Sequence, residues 1–546
     1  MATTAEAVAA FLAEAGARHV YGLPGGGSNL DLIEAARQRG IKFILAHHEV
    51  GAALMAATEG DLLGKPGVCL AAMGPGAASA VNGLAHAYLD RSPMLLLTDR
   101  SPRTSLYLAA RQQLDHLRLF EAVTKDRATI TAPRADRLLR WAWKRSLAAP
   151  RGPIHLDFPA DEVSRPTRRH ALGLEPERLS GPSRNAIRTA ARLLARQGRT
   201  VVIAGLGCRE MISARALLDL VEHLGSPVLT TYKAKGVIPE DHPLAAGVFA
   251  GGRLEESLLA KADGVLAVGL DSVELLPRAW AEGQPVVSLA EYRIGPRPYN
   301  TASEIIAALP ASLEALREAL PPGGDWGLAE WAGRGGAFKA RARALLAEAC
   351  AGRGREGIPP HRLVEIAREV FPRETTIAVD CGAHMFAAAA FWDSFQSKTY
   401  LCSGGLGTMG YAIPAAIAAK LVEPERPVLA LIGDGGFLLS LPDVATAVRL
   451  GLPLVVIVFL DGSLSLTRVQ QEQRRFAPVG VSLGGVDVPK LAESLGALGT
   501  EVEDEDGLRS ALKDAVTTTQ PAIIAARVRP TGYRRMLEIL RGKIIV

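Results

Sequence analysis

At 546 residues the chain is too long for one hydrophobic core, and about three domains is the natural expectation. Hydrophobic residues make up 48% and charged residues 22%, with no long polar or repetitive tract, a globular composition. The 62 Lys and Arg against 57 Asp and Glu leave a net charge of +5 spread along the chain, and no basic arm argues for a nucleic-acid partner. The cysteines, Cys69, Cys208, Cys350, Cys381 and Cys402, are scattered without C-x-x-C spacing, so neither a disulfide framework nor a zinc site is expected. The opening "MATTAEAVAAFLAEAG" lacks the basic start of a signal peptide, and no window reaches the roughly 18 apolar residues of a membrane helix. The expectation is a reduced, cytoplasmic protein with no membrane partner.

In chain order, three blocks of similar texture follow. The first, residues 1–165, passes from helix to strand to the glycine loop of "VYGLPGGGSNLDLI". It continues through "FILAHHEVGAALMAATEG" and the strands "PGVCLAAM" and "PMLLLTD", and closes on "GPIHLDFP". The polar stretch "ADEVSRPTRRHALGLEPERLSGPS" reads as a linker. The second block, 185–320, carries "TVVIAGLG" and "GVLAVG"; "PPGGDW" and a helical connector ending in "AGRGREGIPP" lead to the third, 361–530, with "PVLALIGD" and "LVVIVFLD". The tail "TGYRRMLEILRGKIIV" reads as a short helix and frayed end. Continuous apolar strands between amphipathic helices mean parallel sheets covered on both faces, so the fold class is α/β, three doubly wound parallel-sheet domains.

In such sheets ligands bind beyond the carboxyl ends of the strands. Gly433-Asp434-Gly435-Gly436 sits at such an end, where glycines let backbone N–H groups approach a phosphate and Asp434 can hold a divalent cation. Alone, this stretch is equally a tight turn. The next strand also ends in an acid, Asp461, with a crossover helix between, so the two carboxylates belong on adjacent strand tips, as a hard cation on a diphosphate requires. Asp461-Gly462 as a second turn is the bland alternative. In the first block Glu49 falls at a strand end and a helix start among Val50, Gly51, Ala52 and Ala53, where a poorly solvated carboxylate would share a proton; a helix N-terminal Glu favoured by the macrodipole is the other reading.

Together these residues resemble the thiamine diphosphate enzymes, and the likeness runs along nearly the whole chain. The resemblance implies that the three domains are pyrimidine-binding, central and diphosphate-binding. It makes Asp434, the Asp461 side chain and the Ser463 carbonyl the Mg²⁺ ligands, beside Leu464. Most relatives carry Asn where this chain has Asp461; the flavin-free catabolic acetolactate synthases carry Asp. In "LCSGGLGTMGYAIP" the Gly407 carbonyl would face the cofactor's 4'-amino group and Met409 would prop its bent shape, although a lone Met is more often core. Gly382, Ala383 and His384 would meet the diphosphate end, with His384 as a satisfied surface histidine the alternative. Glu49 would bond the pyrimidine N1' and favour the imino tautomer whose nitrogen deprotonates the thiazolium.

Pro24 and Gly25, and Gly74-Pro75-Gly76, match the turns beside the cofactor. At Gly26 and Gly27 some decarboxylases and aldehyde lyases place a proton donor; glycine leaves room for an acceptor carbonyl and leans toward ligation. Gln112, with Gln113 adjacent, matches the glutamine of the acetolactate synthases that reaches the active site. Leu466 and Gln470 fall at substrate-facing positions, Gln470 where the biosynthetic enzymes use tryptophan. "LDSVELLPRAW" replaces the Arg-Phe-Asp-Asp-Arg stretch of the FAD-binding members, so FAD is not expected. The implied activity is a decarboxylating carboligase of the acetolactate synthase type. Pyruvate becomes an enamine that adds to a second carbonyl compound, in a homodimer or homotetramer with active sites between chains. A 2-oxoacid decarboxylase or aldehyde lyase is the alternative, and a non-catalytic cofactor-binding homologue would predict loss of Glu49 or the metal acids, which are all present.

Overall fold

A computed structural model describes residues 2–102, 104–105, 110–168, 173–174, 179–251, 253–281, 283–323, 334–352, 354 and 356–542. The first block opens with β1 (Ala2–Thr3). Then come β2 (His19–Gly22), β3 (Lys42–Leu45), β4 (Gly67–Ala71), β5 (Met94–Arg100), β6 (Asp126–Thr129) and β7 (Pro153–Pro159), and it closes with β8 (Pro166–Thr167). The second holds β9 (Thr200–Ala204), β10 (Val228–Thr230), β11 (Ala245–Val248), β12 (Gly264–Val268), β13 (Val286–Ala290) and β14 (Thr301–Ile306). The third holds β15 (Thr376–Val379), β16 (Tyr400–Cys402), β17 (Val428–Gly433), β18 (Val455–Leu460), β19 (Leu498–Val502) and β20 (Ala522–Arg527).

Each block makes one six-stranded, all-parallel sheet, ordered β3-β2-β4-β5-β7-β6, β11-β10-β9-β12-β13-β14 and β16-β15-β17-β18-β20-β19. The three-domain α/β reading of the sequence therefore holds. The orders share a property that matters for function: the direction in which successive strands are added reverses between β2 and β4, between β9 and β12, and between β15 and β17. At each reversal the following helices leave on opposite faces and open a crevice at the strands' carboxyl ends.

The strands form because both faces are buried. Val68, Leu70, Leu95, Leu97, Ile154 and Leu156 pack with Val8, Phe11 and Leu12 in the first core. Ile377, Val379, Leu429, Leu431 and Ile457 do the same in the third. Each such side chain contributes about 1.5–3 kcal/mol on burial. The helix Glu49–Leu63 is buried from Gly51 to Gly60 and sets where Glu49 stands. It lies so close to β4 that a Cβ on Gly67 would fall 1.8 Å from the Ala56 carbonyl oxygen. The stretch 160–183, expected as a linker, is ordered at its start: β8 pairs antiparallel with β1, and Thr4 N–H donates to Arg165 O at 2.9 Å. Two-residue strands leave no alternation to read, which is why the sequence hid this pairing. Linker residues 169–172 and 175–178, connector residues 324–333, 353 and 355, and tail residues 543–546 lie outside the described residues; the tail helix is Tyr533–Arg541.

By compactness the chain divides into two units, one of residues 1–177, 405–425 and 439–452, the other of 178–404, 426–438 and 453–546. The five cysteines are free, and Cys381 alone of them is half-buried. No helix among the described residues is long and apolar enough to cross a membrane.

One buried charge stands apart. Asp443, on the helix Asp434–Arg449, lies against Gly51, and its Oδ1 has no hydrogen-bond partner. Burial alone pushes its carboxyl up to about 7. The folded protein therefore holds this proton more tightly than the unfolded chain does, and stability from this group is lost as pH rises from about 4 to about 7. Asp443→Asn is expected to raise Tm at about pH 8 and to have no such effect at about pH 5, read by thermal denaturation at both.

Candidate active site

The crevice between β2 and β4 gathers the glycine loops of the first block. After β2 the chain turns through exposed Pro24 and Gly26 and half-buried Gly25 and Gly27 into the helix Ser28–Gln38. The helix start is held by Asp99 from the tip of β5, whose carboxylate accepts from Gly27 N at 3.1 Å, Ser28 N at 2.9 Å and Ser28 Oγ at 2.7 Å. A side chain at Gly27 would collide with that carboxylate, and one at Gly25 with Ala72; only at Gly26 is the space open. Of the three glycines, Gly26 is thus the one that leaves room for a second molecule.

Glu49 is the first residue of its helix, which His48 Nδ1 caps by accepting from Val50 N at 3.1 Å. The carboxylate is half-buried, more open than its apolar neighbours led one to expect. It faces the Gly74–Gly76 turn: a Cβ on Gly76 would sit 3.0 Å from Glu49 Oε1. Beneath, Cys69 on β4 is held protonated, first by burial and then by the Glu49 charge. Gln112 is exposed and adopts a left-handed backbone (φ 59°) packed on Gly74, while Gln113 is half-buried and donates from Nε2 to Ser101 Oγ at 2.7 Å. Gly407 (φ 69°) and half-buried Met409 flank Thr408, whose hydroxyl donates to Asn82 Oδ1 at 2.9 Å.

In the other compact unit, the crevice between β15 and β17 collects the acids. Gly382 precedes the helix Ala383–Phe391, and His384 in its first turn is buried at 4% exposure, not on the surface. Its ring lies between Gly382 and Gly433 and is tilted on Phe459 at 5.2 Å. Burial lowers its pKa to about 4, against a hydrogen bond from the ring to the Asp380 backbone carbonyl that favours the cation, and Nε2 has no partner. Asp434, 4% exposed, begins the helix after β17. Its Oδ1 accepts from Gly435 N at 2.8 Å, and its Oδ2 from Asp461 N at 3.2 Å and Gly462 N at 2.6 Å.

Asp461, just past the neighbouring β18, accepts from Ser463 N at 3.0 Å and Ser465 Oγ at 2.7 Å. Burial raises both carboxyls, Asp461 to about 7, and for Asp461 the nearby Asp434 charge adds to the effect. Two desolvated acids, one of them raised further by the charge of the other, suit a hard cation, which would reverse both effects. Ser463 Oγ is buried without a partner, its carbonyl accepts from Ser465 N at 2.9 Å, and Leu464 leads into the helix Ser465–Gln473 that carries half-buried Leu466 and Gln470.

Sequence reasoning missed Asp380 and Asp99. A Cβ on Gly436 would fall 2.0 Å from Asp380 Oδ2, so this acid abuts the first turn of the Asp434 helix. Both acids stand at strand ends, the signal that marked Asp434.

The middle sheet's crevice is closed by its own side chain. In the turn after β9, Leu206 N–H is held by both oxygens of Glu274 at 3.1 and 3.0 Å. Thr231 Oγ1 donates to the same carboxylate at 2.5 Å and Asp271 N at 3.2 Å. Burial pushes Glu274 up to about 7, with these hydrogen bonds opposing. A Cβ on Gly205 would fall 2.5 Å from Leu270 Cα, so the glycine serves a close approach of two turns.

Comparison with known proteins accords with this arrangement. Residues 2–119 match the model of the thiamine pyrophosphate enzyme N-terminal TPP binding domain, 187–316 that of the central domain, and 380–526 that of the C-terminal TPP binding domain. The acetolactate synthase of Bacillus subtilis is 29% identical over 559 residues, covering 99% of this chain and 95% of that protein. The catabolic acetolactate synthase of Raoultella terrigena is 28% identical over 97% of this chain and 95% of its own length. A probable 2-ketoarginine decarboxylase of Pseudomonas aeruginosa is 30% identical over 94% of this chain and 91% of its own. This chain belongs to the thiamine pyrophosphate-dependent enzymes of the acetolactate synthase family.

Proposed function

We propose that the protein is a decarboxylating carboligase that uses thiamine diphosphate and Mg²⁺ to join pyruvate to a second carbonyl compound, as an acetolactate synthase does. The observation that carries this reading is the crevice of the third sheet. Asp434 and Asp461 offer hard oxygen donors there, Gly433 leaves the backbone bare, and His384 Nε2 and Ser463 Oγ are buried donors or acceptors still without partners. These residues fit a diphosphate held through a cation: Asp434, Asp461 and the Ser463 carbonyl would take the metal, and Gly382, Ala383, His384 and Gly433–Gly436 the phosphate oxygens. When bound, thiamine diphosphate supplies a nucleophilic carbon and an electron sink for decarboxylating a 2-oxoacid.

The chain's own residues have separate tasks. Glu49 holds a proton at its carboxyl for the aminopyrimidine, and the Gly74–Gly76 turn leaves space for that ring. Met409 would support the bound cofactor, and the Gly407 carbonyl would face it. Open space at Gly26 admits an acceptor; Gln112, Gln113, Leu466 and Gln470 are the further residues assigned to substrate. Catalysis belongs to a homodimer or homotetramer of soluble, cytoplasmic chains with active sites between chains. The occupied turn at Leu206 supports a central domain without FAD.

A second reading, simple 2-oxoacid decarboxylation or aldehyde lysis at the same site, is favoured by the relative described as a probable 2-ketoarginine decarboxylase. Incubation with Mg²⁺, thiamine diphosphate and pyruvate separates the two. Acetolactate and CO₂ are expected; acetaldehyde as the sole organic product selects the second reading, and no CO₂ from a panel of 2-oxoacids overturns both.

Glu49→Gln is expected to lower kcat by about 10²- to 10⁴-fold with an unchanged Tm; near-normal turnover would contradict the proton assignment. For Asp434→Asn, Mg²⁺-dependent binding of thiamine diphosphate, followed by titration calorimetry, should weaken by more than the roughly 10- to 100-fold that outer partners of a metal ligand are worth.

A further inference from the structure

The turn that carries Gly74 and Gly76 is suspended from a buried chain of polar groups that none of the steps above uses. Gly74 has φ 65° and ψ −106° and precedes the short helix Pro75–Ser79. Its N–H, buried and needing an acceptor, points to His116 Nε2 at 3.3 Å. His116 Nδ1 lies 2.8 Å from Asp157 Oδ1. An N–H can only donate, so Nε2 carries the lone pair and Nδ1 the proton, which goes to Asp157.

The carboxylate is locked as well. Oδ1 accepts from Thr98 Oγ1 at 2.7 Å and Oδ2 from Arg100 Nη1 at 2.9 Å. Burial opposes the charge, but the hydrogen bond from His116 and the closeness of His155 outweigh it and hold Asp157 well below the usual carboxylate range. Thr98 spends its proton on Asp157 and so accepts from His155 Nε2 at 2.7 Å, which leaves the buried His155 Nδ1 without a partner.

The ligand atoms of His116, His155 and Asp157 lie within 4.8 Å of one another, close enough for a metal site. Yet both Asp157 oxygens and both facing ring nitrogens are already bonded, one of them to an arginine, so the group is a hydrogen-bonded chain and not a cation site. Its end point is what gives it a role. On the other side of Gly74 the backbone of Gln112 is so near that a Cβ would meet its carbonyl oxygen at 2.9 Å. Gly76, two residues on, faces Glu49 Oε1. The turn is thereby clamped between His116 and Gln112 and presented to the one carboxylate assigned to the cofactor's pyrimidine.

We infer that His116, oriented by Asp157, is a positioning residue that fixes the Gly74–Gly76 turn against Glu49 for the cofactor's pyrimidine, an inference resting on the thiamine diphosphate reading. Three variants divide its two bonds. His116→Gln keeps an acceptor where Nε2 stood, His116→Asn keeps a donor where Nδ1 stood, and His116→Leu keeps neither. Two readouts are taken: hydrogen–deuterium exchange of the peptide spanning residues 73–80 in cofactor-free protein, and the Kd of thiamine diphosphate with Mg²⁺ by fluorescence titration.

Losing the acceptor should weaken cofactor binding about tenfold, the worth of one hydrogen bond to a buried amide, and speed exchange of the turn. The expected order is wild type, then Gln within about threefold, then Asn and Leu together. A side chain that merely fills space gives no advantage to Gln over Asn, and that result overturns the inference, as does cofactor binding equal in all four proteins. If the Leu variant does not fold, the Gln and Asn pair decides alone. A wild type that binds no thiamine diphosphate overturns the functional reading, and the cofactor role of His116 with it. Wild-type binding with an ungraded series overturns the inference alone.

Discussion

The carboxyl end of a parallel strand leaves backbone N–H groups with no neighbouring carbonyl to receive them, and all three sheets of this protein meet that demand with side chains. Asp99 takes the donors of Gly27 and Ser28, Glu274 takes Leu206, and Asp434 takes Asp461 and Gly462. Gly74 is held by His116. A buried amide without a partner costs about as much as a lost hydrogen bond, so these acceptors fix the loops that line each crevice. The functional geometry is a by-product of satisfying the backbone.

The three crevices solve the charge problem differently. In the first sheet, Asp99 is matched by three N–H and O–H donors, and Glu49 stays half-buried. In the middle sheet, Glu274 gathers the Leu206 and Asp271 N–H groups and the Thr231 hydroxyl. In the third, Asp434 and Asp461 are brought together against their mutual repulsion and against burial, with His384 Nε2 and Ser463 Oγ beside them still unpartnered. Only this last arrangement is electrostatically incomplete, and that is why it carries the functional reading.

The sheets were legible because a strand buried on both faces is an unbroken run of Val, Ile, Leu and Ala, and because acids and glycines at the ends of such runs are conspicuous. Asp434, Asp461 and Glu49 stand out for this reason. What remained hidden depends on partners distant in the chain. Glu274 and the Asp157–His116 pair are ordinary residues in one dimension, and although Asp99 and Asp380 stand at strand ends, only folding shows which groups each one meets. The antiparallel β1–β8 pair is too short to have a period, and the burial of His384 between Gly382 and Gly433 is a property of two strand ends at once.

The self-contained turn at Leu206 has a consequence for how the protein is made. Every donor that Glu274 serves, from Leu206 to Asp271, lies within the middle block. The bonds of this turn can therefore form once the middle block has been synthesised, although the block as a whole waits for later residues, since Lys235 Nζ donates to Ala389 O and Ser394 N donates to Glu240. The third sheet, made last, is completed as a fold but not as a charge distribution. One turn of the middle block is thus satisfied early, while the charge left uncompensated at the end of synthesis is concentrated in the segment that appears last.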